Sequence, residues 1–431
     1  MHLALVVLDG LGDRPHPDTG NRSPVEAAST PNLDRLAQAG QLGQVVLIGP
    51  GVAPESDAGV LALLGLDPAR DSPGRGVLEA LGSGVELSRG DVALRLNFAT
   101  ADGDGLIVDS RVGRSLGTNE ASALARALSA ADLLASEQVH AEVRSTVGHR
   151  GILWLHPTDG RALSPNVSNA DPFYEKVGGM GQARVAEKPK RLDVVPLDGS
   201  PEATRTAQLI NRFLGSAGPI LIGHQVNAKR AMGGKRLANE ILVRNAGALP
   251  TSPIASFQER TGLEGAAITE MPVERGIARL LGLADLFVGP MGPDRDASLK
   301  ERAERTRAAL GEHDFVYVHL KGPDEPGHDG DAVRKREVVE ALDRAFFGPF
   351  LDGLDWANTR LAVTADHATP CIAKGHTDDP VPLLLAGAGV PPSRQGAVKF
   401  GEAAAARGSI GTLRGADVLA LLRQGPEHPT G

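Results

Sequence analysis

Cysteine is almost missing from this 431-residue sequence: Cys371 stands alone, which excludes an internal disulfide framework and suits a reducing cytosol. No apolar run is long enough to span a bilayer, and no internal repeat or low-complexity linker is apparent. An excess of basic residues is missing too. The formal charge of -8 and a pI near 5.9 argue against general binding to nucleic acid or anionic membranes. The N-terminal run Leu3–Leu8 is apolar but short, lacks a basic region before it and runs straight into Asp9-Gly10. It reads as a strand and not as a signal peptide. There is also no convincing serine-hydrolase elbow of the Gly-x-Ser-x-Gly type.

What the chain does have is a set of buried-strand signals that stop at acids and imidazoles. Leu361–Thr364 is a short apolar run that meets Asp366 and His367, with His376 just beyond. Phe315–Leu320 is a second such run, followed by Asp324 and His328, four residues apart across a Pro/Gly turn. Asp9 ends the first strand in the same way. Polar side chains at the lip of a buried strand are costly unless something pairs them, and a divalent metal at the C-terminal edge of an α/β sheet would do so. Capping acids with surface histidines are the bland alternative at each place. The recurrence argues for one site.

The length allows two or three domains, and 41% hydrophobic content is ordinary for a globular protein. Strands and helices alternate, the pattern of an α/β fold with a mainly parallel sheet covered by helices on both faces. Thr30 to Gly40 carries the punctuation of a helix: Thr30 as N-cap, Pro31 at the first position, Leu33, Leu36 and Ala37 as stripe, Gly40 as stop. Val45–Ile48 is expected as a second strand, and 331–347 and Leu413–Arg423 as amphipathic helices. Between them the texture shifts to short strands and arginine-bearing loops without Asp/His pairs. This predicts a discontinuous core of 1–76 and 252–431 with an inserted α/β domain over 77–251. Ser56 precedes the apolar helical run Val60–Leu64. There it is either a helix cap or a nucleophile, because a helix N-terminus stabilises an alkoxide and an incoming phosphate. As a nucleophile it would need a metal to lower its hydroxyl pKa.

Together these stretches resemble the alkaline phosphatase superfamily. The carriers are Asp9-Gly10, Pro54-Glu55-Ser56-Asp57, the run His319 to Asp329, and Ala365 to Cys371 with His376. Within the superfamily the chain is similar to the archaeal-type cofactor-independent phosphoglycerate mutases. That similarity extends through Ser23–Ala28, Thr30–Asp34, Arg95–Thr100, Asp109–Arg114, His149-Arg150 and Asp378–Pro382. The resemblance implies an alkaline-phosphatase-like core with a substrate-binding cap, and two metal ions. One would be held by Asp324, His328 and His376, the other by Asp9, Ser56, Asp366 and His367. Oxygen and imidazole donors suit Mn2+, Zn2+ or Mg2+; the resemblance favours Mn2+. Cys371 is expected to be a small core residue.

The implied reaction interconverts 3-phosphoglycerate and 2-phosphoglycerate in the cytoplasm, through a phosphoserine at Ser56 and without bisphosphoglycerate. Candidates for holding phosphate and carboxylate are Arg111, Arg114, His149, Arg150 and Arg244 in the cap, with Arg275 in the core. Asp171 would orient the glycerate hydroxyls or start a turn. Lys321 is a further candidate for neutralising phosphate. His2, His140, His313 and His428 have no partner motif and read as surface residues. Two other readings compete: another enzyme on the same metal core (phosphomonoesterase, other phosphomutase or small-molecule kinase), and a non-catalytic metal-stabilised binding protein. Only the cap arginines separate the first of these from the mutase, and the second has no use for Ser56.

Overall fold

His2–Leu8 (β1) sits in the middle of a sheet, and Leu3 to Leu8 are all buried. A strand buried along its whole length has both faces covered, as in helix-flanked parallel sheets. The structure is a computed structural model and describes residues 1–177, 180–183, 186–187, 189–393 and 398–426; His428 lies outside them. The other strands of this sheet are Gln41–Val46 (β2), Gly265–Thr269 (β3), Ala284–Phe287 (β4), Phe315–Leu320 (β5), Thr359–Thr364 (β6), Val381–Gly387 (β7) and Gly411–Arg414 (β8). Among the described residues they pair in the order β4-β3-β5-β1-β6-β7-β2-β8. Only β7 runs antiparallel to its neighbours. The α/β fold with a mainly parallel sheet is therefore present.

Register places the site. Leu8 lies opposite Leu320 and Val7 opposite Thr364, so β1, β5 and β6 end level at one edge. Asp9, Lys321 and Asp366 leave the sheet there.

The helices that matter are Pro31–Ala39 (α1), Ser56–Leu63 (α2), Pro272–Leu280 (α3), Asp324–Asp329 (α4) and Ala332–Leu342 (α5). α1 starts after Thr30 and buries Leu33, Leu36 and Ala37, although the Thr30 hydroxyl donates to Asp34 and caps no N–H. Several expectations need correction. The second strand is Gln41–Val46, not Val45–Ile48, because β7 pairs with it from Gln41 to Val45. Leu413–Arg423 is no single helix: β8 runs parallel to β2, and a helix begins only at Val418. The helix expected over 331–347 is α-helical for Ala332–Leu342 and continues as a π-turn over Asp343–Phe347. Asp324 to His328 is helical and not an open turn; Pro326 is tolerated because the first turn needs no internal N–H donor.

The chain divides into two compact units, Met1–Ser72 with Ala255–Gly431, and Pro73–Ile254. The second unit has its own antiparallel sheet of Ile107–Asp109, Val92–Ala101, Arg150–Pro157 and Val139–Ser145, with Glu240–Gly247 added beside Val92–Ala101. Its strands reach ten residues, and a 23-residue helix, Pro201–Gly223, accompanies them; both exceed the short strands expected. Leu94, Leu96 and Phe98 pack with Leu124, Leu128, Phe213 and Leu214. Ala93 and Ile152 pack with Val77 and Ala80. Helices thus cover both faces of this sheet too.

Candidate metal centre and arginine cluster

Residues from five separate stretches meet at the level strand ends. Asp9, Asp366 and His367 bring ligand atoms within 4.8 Å of one another, and so do Asp324, His367 and His376. His367 belongs to both groups. His328 adjoins the second, with its Nε2 3.2 Å from His376 Nε2 and 3.5 Å from Asp324 Oδ1. Ser56 Oγ lies 3.2 Å from His367 Nε2. Ser56 is the first residue of α2, whose N-cap is Glu55, so its hydroxyl is not spent on capping.

Close packing fixes these positions. Gly59 on α2 approaches the Asp366 carbonyl so nearly that a Cβ would stand 1.9 Å from its oxygen. Gly10 has φ +63 and donates its N–H to Asp366 Oδ1 at 3.1 Å; a Cβ there would press on Asp324 and Thr369. His376 Nδ1 donates to the Pro54 carbonyl at 2.9 Å, tying the loop before Ser56 to the loop after β6.

Three observations fit this cluster to divalent cations. Asp9 Oδ1 and Asp366 Oδ2 are buried without a hydrogen-bond partner, which is costly unless a cation faces them. The Thr369 hydroxyl donates to Asp324 Oδ1 at 2.8 Å and so must accept from His367 Nδ1 at 2.9 Å. That arrangement places a proton on Nδ1 and turns Nε2 towards Asp9, Asp366 and Ser56, where it is the ring atom available to a cation. Finally, the donors are carboxylate, imidazole and hydroxyl, with no thiolate among them. Cys371 is buried, and its thiol donates to Asp13; burial and Asp13 push it up to about 12.

The charges behind the ligands are compensated. Burial alone would raise the Asp9 carboxyl, but Lys321, His319 and His367 outweigh it and hold the group well below the usual carboxylate range. Asp366 is lowered in the same way, chiefly by His367 and His319 against burial. Burial also opposes ionisation of Asp324, and His376 and His367 overcome it.

In the unit Pro73–Ile254 the residues expected to bind anions come together. Arg150 opens one strand opposite Asn97, and Arg244 lies opposite Arg95. Arg244 Nη1 donates to Asp171 Oδ2 at 2.6 Å and its guanidinium stacks on Tyr174 at 4.1 Å. Arg111 and Arg114 flank a turn in which Val112, Gly113 and Arg114 all have positive φ (53, 62 and 53). A β-branched residue in that region is strained, and such strain collects at functional sites. Among the described residues Arg111, Arg114 and Arg150 make no ion pair. His149 sits buried among them. Burial first, then Arg150, Arg111, Arg244 and Arg114, lower its imidazole to about 4. Arg275 is placed elsewhere, on α3, paired with Asp285 at 2.9 Å and stacked on Phe287 of the edge strand β4.

The His149 shift has a sign that can be measured. A histidine held neutral in the fold binds fewer protons than in the unfolded chain between its two pKa values. It therefore withdraws stability as pH falls from about 6.5 towards about 4, and has no effect above that window. His149→Gln should flatten the dependence of Tm on pH across it. An unchanged slope would show that His149 is not the group responsible.

Comparison with known proteins settles the family. A model of the 2,3-bisphosphoglycerate-independent phosphoglycerate mutases matches residues 37–227. A mutase of that name from Aeropyrum pernix is 46% identical, with 96% of this chain and 97% of the relative covered. Among solved structures, a cofactor-independent phosphoglycerate mutase from Thermoplasma acidophilum aligns with a TM-score of 0.64 and 34% identity, covering 98% of this chain and 99% of that one. A protein from Pyrococcus horikoshii aligns with a TM-score of 0.78 and 29% identity, covering 100% and 99%.

The chain belongs to the 2,3-bisphosphoglycerate-independent phosphoglycerate mutase family.

This member of the family, an isomerase that needs no bisphosphoglycerate, also contains two groups near the candidate metal centre that motif reading did not single out, His319 and Glu274. His319 is fully buried on β5, with Nε2 3.3 Å from Asp366 Oδ2 and 3.7 Å from Asp9 Oδ1. Burial and Lys321 lower its imidazole, but Asp366 and Asp9 prevail and carry it up to about 9. Lys321 Nζ reaches Glu274 Oε1 at 2.8 Å and Asp9 Oδ2 at 3.3 Å. Glu274, buried on α3, is held below its usual range by Lys321 and His319 against burial. A polar residue inside an all-apolar strand was the available signal for His319. Glu274 offered none, since it lies in an ordinary capping position of α3.

Proposed function

We propose that this chain interconverts 3-phosphoglycerate and 2-phosphoglycerate by a two-metal, phosphoserine mechanism. The observation that carries this reading is the Ser56 hydroxyl 3.2 Å from His367 Nε2, the one residue common to both ligand groups. Asp324, His328 and His376 would hold one ion, and Asp9, Ser56, Asp366 and His367 the other, with Mn2+ the preferred ion. Two such ions supply a clamp on the attacking and leaving oxygens and a lowered pKa for the serine hydroxyl.

Ser56 Oγ gives up its proton and attacks phosphorus as the bond to the 3-oxygen of the substrate breaks; the departing 3-oxygen takes up a proton, leaving phosphoserine and glycerate. The glycerate 2-hydroxyl then attacks the same phosphorus, and the bond to Ser56 Oγ breaks. The N-terminus of α2 presents its N–H groups and positive dipole end where the phosphate resides. Lys321 adds a cation beside Asp9. In the insertion, Arg111, Arg114 and Arg150 form a cationic cluster suited to carboxylate or phosphate, with His149 neutral among them. Arg244 and Asp171 face each other as a fixed pair that offers donors and an acceptor to hydroxyl groups. Arg275 is engaged by Asp285, and its role in binding phosphate would require release of that pair. The partner is a small molecule: no helix of the described residues is long and apolar enough to cross a membrane. A cytoplasmic location is supported by the free, buried Cys371.

The test is a phosphotransfer assay on 3-phosphoglycerate without added bisphosphoglycerate, followed by phosphorus NMR. Formation of 2-phosphoglycerate is expected. It should cease after exhaustive chelation and return most fully with Mn2+. Inorganic phosphate as the sole product would replace the mutase by a phosphomonoesterase.

A further inference from the structure

We propose that the buried Lys335–Asp13 pair is a positioning device that holds the metal-ligand loops in register and so sets their affinity for divalent cations. The inference rests on the metal-centre reading given above and deepens it.

Lys335 lies on α5 and its side chain is completely buried, as is that of Asp13. Its ammonium has three N–H donors and three partners. One is Asp13 Oδ2 at 2.8 Å, and the others are the carbonyls of Thr369 at 2.9 Å and Gly12 at 3.3 Å. Gly12 follows Asp9 by three residues, and Thr369 follows His367 by two. The ammonium therefore joins the loop after β1 to the loop after β6. Asp13 works from the opposite side. Its carboxylate accepts from the Cys371 N–H at 3.1 Å, from the Cys371 thiol at 3.2 Å and from the Arg14 N–H at 2.8 Å. The loops also bond directly, Thr369 N–H donating to the Gly12 carbonyl at 2.9 Å. Thr369 is the residue whose hydroxyl orients both His367 and Asp324. Lys335 thus controls, through one backbone carbonyl, the side chain that presents ligands to both groups.

Stability is a poor explanation for such a pair. Two fully buried charges gain little over apolar side chains of similar volume, because desolvation offsets their attraction. Direction is what the pair supplies, since its donors and acceptors bond to both loops at fixed angles. Groups behind metal ligands act in this way generally, and their removal lowers metal affinity by roughly 10–100-fold.

The experiment is Mn2+ titration calorimetry with parallel thermal unfolding, on wild type, Lys335→Met, Asp13→Asn and the double variant. Wild type should take up two ions; a wild type that binds none would sink the metal-centre reading itself. Lys335→Met should lose both Tm and affinity, because it leaves a buried carboxylate unpaired. The double variant leaves no unpaired charge. It should recover much of the lost Tm yet bind Mn2+ at least about 10-fold more weakly than wild type. Wild-type affinity in a folded double variant would overturn the proposal, because a merely structural pair moves Tm alone. Failure of every variant to fold would overturn it too, by making the pair a requirement of the fold.

Discussion

Ser56→Ala is expected to lower mutase turnover by at least about 10^4-fold, the scale seen when the nucleophile of a covalent mechanism is removed. The fold should hardly notice. Glu55 and not Ser56 occupies the N-cap of α2, and no side-chain capping bond is lost with the hydroxyl. The Ser56 hydroxyl bonds to His367 Nε2, so the change in stability should stay within about 0.5 kcal/mol, as at other positions away from caps and core. Mass spectrometry of wild type quenched during turnover should show phosphate on Ser56, and the variant should show none anywhere. Substantial residual turnover, or phosphate on another residue, would mean that the nucleophile has been misassigned.

His367→Ala should have the next largest effect, because this imidazole is the one residue present in both ligand groups. Protein recovered from a desalting column should lose the ion assigned to Asp9, Ser56, Asp366 and His367 and hold the other more weakly, since the Thr369 hydroxyl that orients Asp324 loses its bond to His367 Nδ1; turnover should be lost. His328→Ala is the informative contrast. His328 is exposed and meets His376, Asp324 and the Lys374 carbonyl, none of them in the set assigned to the other ion, so its loss should affect one ion and leave the other in place. Loss of the same ion in the two variants would show that the ligands are wrongly divided between the ions.

The sheet and its ligand edge were legible in the sequence because apolar strands ending in acids state both burial and direction. β1, β5 and β6 are such strands, and their level ends follow from parallel pairing. Less legible were elements whose identity depends on a distant partner. Gln41 to Gln44 look like loop residues until β7 is laid beside them, and Leu413 follows a helical spacing until β2 claims it. Lys335 escaped notice although it sits on the stripe Ala332, Lys335, Val338, Val339, Leu342, every member of which is buried. A charged residue in phase with an apolar stripe was a readable signal. Its partner Asp13, 322 positions earlier, was not. The arginine cluster was legible as single residues, but their convergence on His149 depends on which strands of the insertion pair.

The division of the chain also bears on the order of events during synthesis. Residues 73–254 are contiguous, so the insertion can fold as soon as it leaves the ribosome. β1 must wait, since its neighbours are β5 and β6, more than three hundred residues downstream. Until those strands emerge, the first 72 residues remain a nascent segment with an apolar strand and no sheet to join. The candidate metal centre is therefore among the last parts of the molecule to exist, and newly made chains pass through a stage in which a finished insertion is joined to an unassembled core.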